Sequence, residues 1–392
     1  MRLLNTKKIT FLSVCVLTFL VFSFCLKTSN GERTNLSSLN SKYGLIAAEP
    51  LGDNNKDYSS LSYMFNSDIS KVSVLDIFKP EKELIVKLES DSDLAALGNI
   101  FLLRLRTNAD PQEIAKQYEL IDGVSYAEPN FQIELSDYDD LGPEDDVNIS
   151  GGSKVATDLS VIVAVIDSGV DIKHKDLEDR IVLGYNFVSG NENVSDGYGH
   201  GTHVAGIIAS NSSAKIMPIK FTDGKKGKMS DLAKAIKFAV DNDAGVINLS
   251  LGLSEKSSLL KNFIDYAFKN NIPIVAAAGN YNTSKKYYPA AYSKVIAVAG
   301  LANDDTKLPQ SNFGSWVDYS VKAQDISSTM PGDNYGYATG TSQAAPFVSA
   351  EIVKILENTK DSSIKSILLE LDKNSTPLNT GKFAWLLGKE LE

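Results

Sequence analysis

Cysteine is almost missing from this chain. Its 392 residues hold two, Cys15 and Cys25, and everything after Leu26 is free of it. That excludes disulfides and cysteine-based metal sites from the rest of the molecule. Basic charge is short as well: 39 Lys and Arg against 49 Asp and Glu leave a formal charge of −10. A nucleic-acid binder needs a basic face to displace counterions, so no nucleic-acid partner is expected. Glycine and proline sit near their usual share and no internal repeat occurs, which rules out collagen and coiled-coil rods. With 43% hydrophobic and 22% charged residues, the composition is that of a globular chain of two or three folding units. The charge is uneven, −9 over residues 1–150 and −1 over residues 151–392. The acidity belongs to the N-terminal part.

Arg2, Lys7 and Lys8 precede an uncharged apolar run from Ile9 to Leu26, closed by Lys27. A basic flank before an apolar stretch reads as an export signal. The run is long for a signal-peptide core and long enough to span a bilayer, and no small-x-small cleavage site follows it, so a membrane anchor at 9–26 stays open beside a cleaved signal. Val14 and Phe24 precede the cysteines poorly for lipidation. Either way the expected location is extracytoplasmic, secreted or attached to the cell envelope.

The chain then divides into a low-order linker rich in Ser and Asn (28–78), a small α+β unit (79–135), an acidic junction (136–150) and a long region (151–392). In the small unit, ELIVKL (83–88), FLLRLR (101–106) and GVSYAEPNFQIEL (123–135) have strand character. DPQEIAKQYEL (110–120) predicts a helix capped by Asp110 with Pro111 in its first turn. Residues 134–146 contain seven acids and no Lys or Arg. Such a run is expected to be exposed and unpacked, and is a natural place for the chain to be cut.

From Val161 onward buried strands alternate with helices. VIVAVI (161–166), AKIMPIKF (214–221), GVINLSL (245–251), IPIVAAA (272–278) and KVIAVAG (294–300) are strand candidates. SDLAKAIKFAVDN (230–242) and SLLKNFIDYAFKNN (258–271) are helix candidates. This order predicts an α/β fold, a parallel sheet with helices on both faces. Ligands in such sheets bind beyond the carboxyl ends of the strands. Three polar residues stand in that position or at a helix start: Asp167 in VIDSGVD, His200 in HGTHVAG and Ser342 in GTSQAAP. A serine nucleophile needs an adjacent base, and the base needs a carboxylate to fix its tautomer. Helix capping explains any one of them alone; their joint occurrence points to catalysis. A zinc site at HGTH is the rival. It lacks the glutamate of HExxH and any third ligand cluster, so no metal is expected there, and His203 reads as a buried helix residue.

Together VIDSGVD, HGTHVAG, AAAGN and GTSQAAP resemble the subtilisin-like serine proteases, the subtilases, over about residues 150–392. The resemblance implies Asp167 as orienting carboxylate, His200 as general base and acid, and Ser342 as nucleophile. Asn280 matches the oxyanion-hole asparagine beside the Ser342 backbone N–H, and His174 a non-catalytic position. INLSLG (247–252) resembles the strand that pairs with extended substrate. Ser250, Leu251 and Gly252 then line one wall of the primary pocket, and Ala276, Ala277, Ala278 and Gly279 the other. The floor maps near Tyr287, where a tyrosine shortens the pocket. The loop DGKKGKMSD (223–231), with Gly227 at its centre, is expected at the opposite cleft edge. Its Lys225, Lys226 and Lys228 would attract the acidic junction.

The small unit resembles the family's inhibitory propeptide, with VSYAEPNF near its ending. The implied protein is a monomeric endopeptidase acting through an acyl-enzyme on polypeptides, with its own propeptide as partner in cis. Three positions depart from the pattern. Gln343 stands where Met is usual and Lys175 where Pro is common, and SVKAQDI (320–326) replaces Ala-Pro-Gly. The connection ASNSSAKIMPIK (209–220) is too short for the calcium loop of many relatives, so no cofactor is expected, with weak calcium sites elsewhere left open. Two alternatives remain: a membrane-anchored processor of one precursor, and a catalytically silent peptide-binding protein.

Overall fold

Alternation of apolar residues decides the smaller part of the molecule. In a computed structural model the described residues are 36–51, 81–88, 100–136, 139–143, 160–378 and 389–391. They fall into two compact units, Met1–Asn130 and Phe131–Glu392. The first contains α1 (Leu36–Lys42), β1 (Leu45–Pro50), β2 (Glu81–Leu88), β3 (Ile100–Arg106), α2 (Pro111–Glu119) and β4 (Val124–Pro129). The strands pair antiparallel in the order β1–β3–β2–β4. Leu84, Val86, Phe101, Leu103 and Leu105 share one face by their spacing of two, and meet Ile114, Ala115 and Tyr118 of α2 there. Asp110 caps α2 by accepting from the backbone N–H groups of Gln112 at 2.8 Å and Glu113 at 3.3 Å.

Residues 36–50 differ from the expected low-order linker. Leu36, Leu39 and Tyr43 recur at helical spacing and join the core of this unit together with Leu45. The Tyr118 hydroxyl donates to Asn40 Oδ1 at 2.6 Å, tying α2 to α1. The abundance of Ser and Asn around these residues hides the apolar stripe.

The second unit begins with β5 (Gln132–Leu135), β6 (Asp139–Pro143), β7 (Ile162–Asp167), β8 (Tyr185–Asn186), α3 (His200–Asn211), β9 (Lys215–Lys220), β10 (Lys226–Lys228) and α4 (Met229–Asp241). It continues with β11 (Val246–Leu249), β12 (Leu251–Gly252), α5 (Ser258–Lys269), β13 (Ile274–Ala277), β14 (Val295–Leu301), β15 (Tyr319–Lys322), β16 (Ile326–Met330) and β17 (Asn334–Thr339). Last come α6 (Thr341–Asn358), α7 (Ile364–Lys373), β18 (Ser375–Pro377) and β19 (Lys389–Leu391). Among the described residues the main sheet runs β18–β19–β15–β14–β13–β11–β7–β9–β8. Every pairing in it is parallel except β18 with β19. Val163 and Val165 of β7 pack with α3 and α6 in one apolar cluster. Ala164 and Ile166 are equally buried and point to the other face. This is the α/β arrangement that the strand–helix alternation predicts.

Two expectations about the junction are corrected. The unit boundary falls after Asn130, before the predicted end at 135, because β5 finds its hydrogen-bond partners in β10 and β12. The acidic run is also not wholly unpacked. Glu134 and Leu135 lie in β5, Ser136 is buried, and β6 pairs with β17. Main-chain pairing asks nothing of side-chain polarity, so an acidic sequence can still complete a sheet. Residues 137–138 and 144–150 of the junction lie outside the described residues.

α3 approaches β16 closely enough that only glycine fits at position 206. A Cβ there would overlap the hydroxyls of Ser328 and Thr329 and come within 2.9 Å of the Thr329 nitrogen. Those hydroxyls donate to the helix carbonyls of His203 at 2.7 Å and Thr202 at 2.8 Å. Gly206→Ala is therefore expected to cost about 1–3 kcal/mol by overpacking, read as a lowered Tm in a thermal melt.

Candidate active site

The carboxyl end of β7 delivers Asp167, fully buried, into contact with the first residue of α3. Asp167 Oδ1 lies 2.7 Å from Nδ1 of His200, which is also fully buried. The same oxygen accepts from the Ser168 backbone N–H at 2.8 Å. A proton held on Nδ1 by the carboxylate makes Nε2 the basic nitrogen of the ring.

Sequence reasoning missed the residue that fixes this pair. Asp196 Oδ1 accepts from Tyr198 N, Gly199 N and the Ser168 hydroxyl, at 3.0, 2.8 and 2.9 Å. Its Oδ2 accepts from Thr202 N at 2.9 Å and the Thr202 hydroxyl at 2.6 Å. The Ser168 hydroxyl in turn accepts from Gly201 N at 3.0 Å. Asp196 thus satisfies orphan donors at the start of α3 and joins that turn to the end of β7. An acidic residue just ahead of a predicted helix start was the available signal.

Ser342 is the second residue of α6, whose N-terminus meets the end of β13. Asn280, just beyond β13, accepts at Oδ1 from both the backbone N–H and the hydroxyl of Thr341, each at 3.0 Å. A backbone N–H can only donate, so the atom facing it is the amide oxygen. The Asn280 NH₂ is thereby turned away from Thr341. Asn312 braces the same turn: its Nδ2 donates to Ala278 O at 2.7 Å, and its Oδ1 accepts from Tyr281 N at 3.0 Å and Thr283 N at 3.2 Å. Lys307 holds the next carbonyl back, donating to Ser311 O at 2.9 Å. Burial pulls its ammonium pKa down to about 8.

A cleft is defined by β10 on one side and β12 on the other, and β5 fills it antiparallel to both. Ile133 stands opposite Gly227, and Glu134 opposite Gly252. Leu135 N donates to Lys225 O at 2.8 Å, and Ser136 N to Ser250 O at 3.1 Å. The Ser342 hydroxyl ends beside this strand, 3.1 Å from the Ser136 carbonyl oxygen and 3.4 Å from Ser250 O. Ser250, Leu251, Gly252, Ala277, Ala278 and Gly279 are all buried around it. Tyr287 is buried too, with its ring against both Gly252 and Gly279. Lys226 pairs with Glu134 at 2.6 Å.

The remaining sequence candidates serve other contacts. His203 Nε2 is 3.1 Å from Ile326 O, and His174 Nε2 is 3.1 Å from Asn334 O. Gln343 is buried, and Lys175 reaches over the Tyr335 ring. In the short 209–220 connection, Arg180 donates to the carbonyls of Ser212 at 2.9 Å and Ala214 at 3.3 Å. Among the described residues no cluster of His, Cys, Asp and Glu has the makings of a metal site. No described helix is long and apolar enough to cross a membrane, and the 9–26 run lies outside those residues.

The model of the subtilase family matches residues 158–377. A thermophilic serine proteinase of Bacillus sp. (strain AK1) is 40% identical over 199 residues, 48% of this chain and 50% of that protein. Thermitase of Thermoactinomyces vulgaris is 38% identical over 199 residues, 48% of this chain and 71% of thermitase. The chain thus spans half the length of the first relative and somewhat more of the second. Among solved structures, a cold adapted subtilisin-like serine proteinase superposes with a TM-score of 0.56 at 27% identity, covering 59% of this chain and 88% of that one.

If Thr341 sets the Asn280 amide, Thr341→Val should lower kcat about tenfold with KM nearly unchanged, the scale of one hydrogen bond of about 1.4 kcal/mol. Asn280→Ala should cost more, about 10²–10³ in kcat. Steady-state kinetics on a peptide substrate reads both.

Proposed function

Because this chain belongs to the subtilase family and has a subtilisin-like fold, we propose that it is a serine endopeptidase that cuts itself out of an inactive precursor. The observation that carries this reading is the 3.1 Å approach of the Ser342 hydroxyl to the Ser136 carbonyl, at the end of a strand held from both sides. Main-chain pairing of a peptide with a sheet edge supplies affinity and register together. Here the register ends with the Ser136 carbonyl beside the Ser342 hydroxyl, which supports cleavage after Ser136.

The proposed chemistry uses Ser342, His200, Asp167 and Asn280 in turn. Ser342 Oγ attacks the carbonyl carbon of Ser136 while His200 Nε2 takes the hydroxyl proton. The imidazolium shares its Nδ1 proton with Asp167, 2.7 Å away. The Asn280 NH₂ and the Ser342 backbone N–H stabilise the oxyanion. His200 then gives its proton to the Asp137 nitrogen as the C–N bond breaks. A water repeats the sequence on the acyl-enzyme, leaving a Ser136 carboxylate and regenerated Ser342.

Residues up to 136 become the propeptide, and 137 onward the enzyme. Phe131–Ser136 would remain in the cleft as an inhibitory product until displaced. We assign residues 1–27 to export, as a signal or an anchor, and the working location to the outside of the cytoplasmic membrane. Reaction as a monomer needs no cofactor in this scheme. The Arg180 guanidinium occupies the Ser212 and Ala214 carbonyls of the short connection, which disfavours a cation there.

N-terminal sequencing of the purified protein beside its Ser342→Ala variant tests this. The active chain should yield a new terminus at Asp137, and the variant should stay uncut. A fluorophosphonate should label the processed protein and leave Ser342→Ala untouched. Cleavage of the variant at the same bond, or labelling that survives it, overturns the reading.

A further inference from the structure

The space between Gly252 and Gly279 is occupied by the protein's own Tyr287 ring. Tyr287 reaches between the two walls, and a Cβ on Gly252 would overlap its ring. A Cβ on Gly279 would lie 2.8 Å and 3.0 Å from the same ring edge. Glycine on both walls is what admits an aromatic ring between them. The ring is held there from the backbone: Leu253 and Tyr288 exchange N–H···O bonds of 2.8 Å in both directions, clamping the chain beside Tyr287 to the end of β12. Tyr287 is only 7% exposed. Little depth is left for a side chain from the substrate, and the residue the cleft holds before the scissile bond is a serine, 2% exposed. The Ser136 hydroxyl meets no hydrogen-bond partner among the described residues.

A second contact reads the strand two residues upstream. Glu134 extends between the cleft edges, 2.6 Å from the Lys226 ammonium of β10 and 3.3 Å from the Tyr281 hydroxyl, which follows Asn280. Glu134 and Tyr281 border a cavity of about 360 Å³ that also touches Gln132, Ser254 and Tyr287. Hydrogen bonding to Lys226 holds the Glu134 carboxyl below its usual range, with Lys225 and Tyr281 acting in the same direction.

Resting on the endopeptidase reading above, we propose that the cleft selects peptides with a small residue, alanine or serine, before the scissile bond and a carboxylate two residues further upstream. Tyr287 excludes larger side chains, and Lys226 with Tyr281 attracts the acid. The two terms differ in size. Steric exclusion from a filled pocket reaches one to two orders of magnitude. A half-exposed ion pair gives a few-fold preference that salt weakens.

The full chain carries its own test substrate, so self-cleavage of the precursor, followed on a denaturing gel, is the measurement. Ser136→Ala should mature at least as fast as the parent. Ser136→Phe should slow maturation about tenfold or more, and the double change Ser136→Phe with Tyr287→Gly should restore it to within about threefold. Rescue by a second substitution rules out misfolding as the cause of the delay. Glu134→Gln should slow maturation about two- to fivefold at low salt. That gap should close as pH falls. A carboxyl with a lowered pKa keeps its attraction above the ordinary carboxylate range and loses it as pH drops through the lowered value.

Ser136→Phe maturing at the parental rate overturns the proposal. So does failure of Tyr287→Gly to rescue it while Tyr287→Gly alone still matures. Equal rates for the parent and the Glu134→Gln variant at low salt overturn the acidic preference. If the parent chain itself stays uncut, the endopeptidase reading falls instead.

Discussion

A fully buried carboxylate touching a fully buried imidazole is the constraint around which this protein is arranged. An ion taken out of water costs several kcal/mol unless donors replace the water, and the fold brings those donors to Asp167 and its neighbours. Ser168 N binds Asp167 itself. Asp196, with five donors, holds the turn from which His200 projects. The parallel sheet makes this economical, since β7, β11 and β13 are adjacent and end on the same edge. Asp167, Ser250 and Asn280 lie at or just beyond those ends. Two helices starting at that edge add His200 and Ser342 as their first and second residues.

The cleft also holds β5 by backbone before side chain. Residues 132–136 bond to β10, β12, Lys225 O and Ser250 O through main-chain groups that any sequence possesses. Selectivity is left to a few side chains at fixed registers. Gly227 and Gly252 carry none, so the strand lies close, and in the proposed reading Tyr287 and Lys226 set what may project from it. The acidity of the N-terminal part, which first speaks only against nucleic acid, acquires a local meaning at one position. Glu134 is the acid that meets a lysine across the cleft.

Much of this was legible in the chain. VIVAVI, GVINLSL, IPIVAAA and KVIAVAG are continuous apolar runs that suit strands covered on both faces, and the polar residues behind them mark the working edge. Asp110 and Pro111 announced α2 by cap chemistry alone. What stayed hidden depends on partners distant in sequence. Residues 36–50 looked like linker because three apolar residues at helical spacing are diluted by Ser and Asn. Asp196 belongs to none of the motifs, and its role exists only once Ser168 and Thr202 are folded against it. Tyr287 suggested a shortened pocket, but its wedge between Gly252 and Gly279 follows from the meeting of two loops 27 residues apart.

In the proposed self-processing the same strand serves as substrate and then as inhibitor, and those duties ask for different affinities. Before cleavage it is tethered, so its local concentration in the cleft is high and modest contacts suffice to fill the site. Cleavage at Ser136, as proposed, would remove the covalent link to the enzyme, and the tail would stay only by its own affinity. A filled primary pocket and an ion pair whose lysine is 55% exposed supply little of that. Deep anchoring by a large side chain would make a tighter product and a slower release. By this argument a small residue before the scissile bond is more than a limit on what the enzyme can cut: it lets a tethered segment be cut in register and still be given up.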